Sequence, residues 1–161
     1  MLIKHYVVIS LFIVLFIFVA YNSFVNKPDY LSQLKDKYGE TEFKDESLIV
    51  KKISANSEIL FIDDVNSNTY IYFLNKDDLQ LLGNLQKPEI LSFIYHERYK
   101  ILWGVYNSKK IDEIKIERKS KINYIEKNNG IKLFFVKDYF ENPVDIKGYS
   151  NTEGLVYQSA P

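Results

Sequence analysis

The sequence predicts a mainly β protein carried behind one N-terminal transmembrane helix. Three observations lead there. An uncharged apolar stretch fills residues 6–25, eleven short apolar runs follow from Ser47 onward, and clusters of Asn, Ser and Gly separate those runs. The expected order is a short head over 1–5, a transmembrane signal anchor over 6–25, and a juxtamembrane linker with a short amphipathic helix over 26–46. A single antiparallel β-sandwich or barrel-like domain then occupies 47–161.

Residues 6–25 read YVVISLFIVLFIFVAYNSFV. At about 1.5 Å per residue such a helix covers roughly 30 Å, the thickness of the hydrocarbon core of a bilayer. Tyr6 and Tyr21 sit where amphipathic rings favour the interface, and Lys4 and Lys27 close the stretch with charges that hydrocarbon rejects. The lipid bilayer is therefore the first expected partner. A cleaved secretory signal shares this layout and would release a soluble domain. Cleavage favours small residues one and three positions before the cut, however, and Ala20 is accompanied by Phe18. Orientation rests on two opposed cues. Lys27, Lys35 and Lys37 outnumber Lys4 on a bare count, yet large domains translocate largely regardless of charge, and a five-residue basic head is a usual signal-anchor start. The expectation is head inside and domain outside the cytoplasm, at the cell membrane.

After the anchor, Pro28 suits a first helical turn, Leu31, Leu34 and Tyr38 share one face, and Gly39 suits a left-handed residue after the last turn. This helix is expected to lie on the membrane surface or against the domain. The apolar runs are Leu48 to Ile53, Ile59 to Val65, Tyr70 to Leu74, Leu79 to Leu85, Ile90 to Tyr95, Lys100 to Tyr106, Ile111 to Glu117, Ile122 to Glu126, Ile131 to Lys137, Val144 to Tyr149 and Leu155 to Gln158. Short runs at this spacing, rich in Ile, Tyr, Phe and Val, are what an antiparallel sandwich or barrel requires. Tyr70 to Leu74 and Leu133 to Val136 are apolar on both sides and read as central strands. Between Ile111 and Glu117, apolar and charged residues alternate, so one face meets water. Leu79 to Leu85, behind Asp77-Asp78, is equally compatible with a capped helical turn.

Composition excludes several chemistries. With 161 residues, 21 Lys+Arg against 21 Asp+Glu and only two arginines, Arg98 and Arg118, the chain lacks the basic footprint of a nucleic-acid binder. No cysteine means no thiolate nucleophile, no disulfide and no Cys-ligated metal. Sortase chemistry is thereby excluded despite a shared anchor-plus-β layout. The six glycines are scattered singly, which removes phosphate loops and dinucleotide fingerprints. No cofactor is expected.

Few residues invite a catalytic or ligand role. His96-Glu97-Arg98 places imidazole, carboxylate and guanidinium side by side, and His96 is the sole candidate catalytic residue. Neighbours on a strand nonetheless point to opposite faces. Asp64, Asn66 and Asn68 have the first ligand spacings of a calcium loop, but Thr69 stands where the loop needs Gly and Asn75 where it needs a bidentate Glu. A polar hairpin explains them more economically. Asp77-Asp78 reads as a cap or turn. Trp103 and the thirteen tyrosines offer material for an aromatic binding face, although rings at strand spacing usually fill a core.

The stretch Ile101-Leu102-Trp103-Gly104-Val105-Tyr106, with Ile146-Lys147-Gly148-Tyr149 and a closing turn to Leu155-Val156-Tyr157, resembles the small membrane-anchored extracytoplasmic β domains of low-GC Gram-positive bacteria. Ile, Lys, Asn, Tyr and Phe, whose codons are AT-rich, together make nearly half the chain. That resemblance covers about the last sixty residues and implies no catalytic residue. The expected role is non-enzymatic binding of a protein or cell-wall partner at the cell surface. The alternative is a cell-envelope hydrolase using His96.

Overall fold

In a computed structural model the chain divides into two compact units, residues 1–40 and 41–161. The structure describes residues 29–39, 41–76, 78–116, 121–127, 130–141 and 143–159. The expected membrane helix and the head before it lie outside the described residues. Among the described residues, no helix is long and apolar enough to cross a membrane.

The first unit contributes helix α1 (Tyr30–Tyr38). Asp29 caps it, its Oδ1 accepting from the Ser32 N–H at 3.1 Å, and Lys35 and Lys37 in the last turn complement the helix dipole. Leu34 is its buried residue. Gly39 follows in a right-handed conformation with φ −59°, contrary to the expected left-handed one. Space explains the glycine: a Cβ there would stand 2.8 Å from the Lys35 carbonyl oxygen.

The second unit is antiparallel β throughout. Strands β1 (Ile49–Ser54), β2 (Ser57–Asp63), β3 (Thr69–Asn75) and β4 (Asp78–Leu85) form a meander, with every strand beside its sequence neighbour. The central sheet runs in the order β5 (Leu91–His96), β6 (Ile101–Asn107), β9 (Ile131–Lys137), β8 (Asn123–Glu126). A third sheet has the order β11 (Gly154–Gln158), β10 (Ile146–Ser150), β7 (Glu113–Ile116). Each of the eleven apolar runs thus contains a strand. The unit starts earlier than the expected boundary at residue 47, because Glu42 to Lys44 extend the first sheet. Lys44 N–H donates to the Asp63 carbonyl at 2.8 Å and Val65 N–H to the Glu42 carbonyl at 3.0 Å. The Phe43 ring then sets edge-on to Tyr70 and Tyr72.

The helix-like spacing in β4 has a physical cause in the sheet. Ile71 pairs with Gly83 and Tyr72 with Leu81, which leaves Leu82 as the extra residue of a bulge. Gly83 adopts φ 147°, and the kink lets Leu79 and Leu82 both turn inward while Leu81 stays outside.

Two cores share the central sheet. Ile101, Trp103 and Val105 of β6, with Leu133 and Phe135 of β9, face Ile59, Phe61, Ile71 and Phe73 of the first sheet. Their alternates Leu102, Tyr106, Phe134 and Val136 face Ile114, Ile116 and Ile146 of the third sheet. The result is three β layers, where a two-layer sandwich or barrel was expected. A sheet buried on both faces must be apolar at successive positions, which is why ILWGVY and LFFV carry almost no polar side chain. Gly104 is required between them. It pairs with Phe134, and a Cβ there would stand 2.4 Å from that ring and 2.6 Å from the Ser92 carbonyl oxygen.

Candidate functional site

His96 closes β5 and is followed by a 3-10 turn, Glu97–Tyr99. The turn separates the adjacent side chains. The imidazole packs on the first-core side against Tyr99, ring centroids 4.9 Å apart, and Tyr99 packs at a tilt against Phe73 at 4.8 Å. Nδ1 of His96 is buried without a hydrogen-bond partner. Burial, and secondarily the Arg98 charge, hold the imidazole below its ordinary pKa of 6.5. Arg98 itself lies over the Tyr99 ring, 5.4 Å from its centre, and Glu97 lines a groove on the other side of the strand. No hydrolytic His–carboxylate pair is assembled there.

The calcium-like loop is a self-satisfied turn. Asp64 Oδ1 accepts from the Asn68 N–H at 2.8 Å and Oδ2 from the Asn68 side-chain amide at 2.7 Å, while Asn66 is exposed. The buried carboxylate is thus committed to closing the hairpin. Among the described residues no cluster of three His, Asp or Glu side chains is placed to hold a metal. Asp77 lies outside the described residues, and Asp78 opens β4.

Among the described residues a broad, open concavity of about 930 Å³ lies over Tyr106, Ile114 and Tyr124, and two more confined regions emerge that the residue pattern did not reveal. One, about 380 Å³, opens at the end of the first core between the β2–β3 and β8–β9 ends, where Lys127, Asp63 and Thr69 form a closed polar triad. Lys127 Nζ is ion-paired to Asp63 and lies 3.1 Å from Thr69 Oγ1, which donates to Asp63 at 2.7 Å. Those partners are 64 residues apart in sequence, so no local motif announces them.

The other is a groove of about 480 Å³ at the mouth of the second core, between β5 and β11, the edge strands of their sheets. Phe93, Tyr95, Tyr139, Phe140 and Tyr157 supply its aromatic walls, and Glu97 its carboxylate. Alternation in β5 turns Phe93 and Tyr95 to the same side. The loop after β9 returns Phe140 edge-on to Tyr95 at 5.3 Å, and the Phe140 N–H donates to the Tyr95 hydroxyl at 3.2 Å. Burial pushes the Tyr157 phenol pKa up from its ordinary value. Ser159, just past β11, anchors the Tyr157 wall, its hydroxyl accepting from the Ile146 N–H at 2.9 Å and donating to the Val144 carbonyl at 2.8 Å. Tyr139 remains 55% exposed at the rim. Trp103, by contrast, is wholly buried in the first core and belongs to no binding face.

The combination of rings, one carboxylate and two sheet-terminal strands suits recognition of an extended ligand and offers no activated nucleophile. No family model matches the chain, and neither a curated protein nor a solved structure matches it.

Proposed function

We propose that this chain is a single-pass membrane protein whose extracytoplasmic β domain binds a peptide segment of a protein or cell-wall partner in the β5–β11 groove. The observation that carries the binding role is the convergence of five aromatic rings beside β5 and β11, which are the terminal strands of their sheets among the described residues. Edge strands offer free backbone donors and acceptors, and flanking apolar pockets take alternate side chains of an added strand. The anchor rests on the uncharged stretch from Tyr6 to Val25 and the placement of Lys4 and Lys27 around it. A hydrolase using His96 is less well supported, because its ring packs on Tyr99 while Glu97 lines the groove on the other side.

The test uses the full chain with a C-terminal tag in a Gram-positive host. Full-mass product in the membrane fraction, with the tag removed by protease added to intact cells, is the expected result. A photocrosslinking amino acid at Tyr139 should then yield a surface adduct that the same group at Val65, exposed elsewhere on the domain, does not. A tag protected in intact cells would reverse the orientation, a shortened product would make the domain a secreted one, and equal labelling at both positions would remove the groove as the docking site.

A further inference from the structure

We propose that the groove selects a cationic side chain, an alkylammonium group such as that of lysine, with Glu97 as the residue that sets this preference. The inference rests on the reading of the groove as the docking site and adds the chemistry of what enters it. Of the chain's 21 Lys and Arg residues, none lies among the described residues lining the groove, whereas Glu97 does. Charge complementarity therefore favours a cation. The walls reinforce it, since the π faces of Phe and Tyr attract ammonium groups that they partly desolvate.

Two of the groove's hydroxyls are already engaged by the fold. The Tyr95 hydroxyl receives the Phe140 N–H, and the Ser159 hydroxyl joins Ile146 to Val144. The nearest cation in sequence, Arg98, turns away to the Tyr99 ring. Glu97 makes no ion pair among the described residues, which leaves its carboxylate available for a ligand. A cavity of about 480 Å³ accommodates a side chain with its flanking backbone.

Fluorescence anisotropy of labelled tripeptides tests this on the full chain in a non-ionic detergent. The probes are acetyl-Pro-Lys-Pro-amide, the norleucine analogue that keeps the four-carbon chain and lacks the ammonium group, and the glutamate analogue. The lysine peptide is expected to bind about tenfold more tightly than the norleucine one, a ratio in the range of a partly desolvated cation–π contact combined with an ion pair. Glu97→Gln should cut that ratio to the smaller part left by the aromatic walls, Tyr139→Ala should weaken lysine binding by several-fold, and Glu153→Gln, on an exposed turn, should change neither. Equal affinity for lysine and norleucine peptides, still lost in Tyr139→Ala, overturns the charge preference while leaving the groove as a docking site. Binding untouched by Tyr139→Ala, or absent for all three probes, overturns both. A loss in Glu153→Gln equal to that in Glu97→Gln would mean diffuse electrostatic attraction and sink the assignment of Glu97. Unchanged Trp103 fluorescence in each variant verifies that the fold is kept.

Discussion

His96 carries a stability signature in a single side chain. Its Nδ1 is buried with no partner, and both burial and the Arg98 guanidinium disfavour the protonated ring. In the unfolded chain the imidazole titrates at its ordinary value of about 6.5, whereas the folded protein takes up that proton only at lower pH. Protons therefore bind the unfolded state preferentially as pH falls below 6.5, and the contribution of His96 to stability is full above that pH and declines below it. Urea midpoints at pH 7.5 and pH 5.0 check this against His96→Phe, which preserves the ring contact with Tyr99. Wild type should lose more stability than the variant over that interval. The carboxylates common to both proteins cancel in the comparison, so equal losses would show that the imidazole is solvated in the folded state.

At the scale of elements, every strand was legible as an apolar run, but the partner of each strand was not. Alternation in Glu113 to Ile116 identifies one buried face and says nothing about which sheet the strand joins. β7 leaves the central sheet for the third one, and that choice depends on contacts made far away in sequence. The groove was hidden for the same reason. Phe93 and Tyr95 read as ordinary strand aromatics, Tyr139 and Phe140 fall between runs where no periodicity applies, and Tyr157 reaches the others only because the third sheet stacks on the central one. Ser159 holds that arrangement by locking the end of β11 onto the start of β10. Removing its hydroxyl leaves the buried Ile146 N–H and the Val144 carbonyl without this partner, a loss of about 1–3 kcal/mol for unsatisfied groups of this kind. Ser159→Ala should lower the urea midpoint accordingly and speed amide hydrogen exchange at Ile146 and along β11. Unaltered exchange there would show that the strand is held by its ladder alone.

The whole β unit is governed by the sharing of one sheet between two cores. Two independent sandwiches could unfold in separate steps, but here every residue pair such as Trp103 and Phe135 in one core is bonded through the backbone to Leu102, Phe134 and Val136 in the other. Disrupting either side exposes the opposite face of the same strands, so each core is stable only while the other persists. The chain carries a natural test of this coupling, since its single tryptophan lies wholly within the first core. Trp103 fluorescence and far-UV circular dichroism should follow one coincident urea transition, the expected mark of a two-state unit of this size. Val136→Ala, whose side chain belongs to the second core, should then shift the Trp103 transition by as much as it shifts the backbone signal, with a loss of about 2 kcal/mol from the transfer and cavity terms. A Trp103 transition left in place while the backbone signal moves would separate the cores and dismiss the shared sheet as the source of cooperativity.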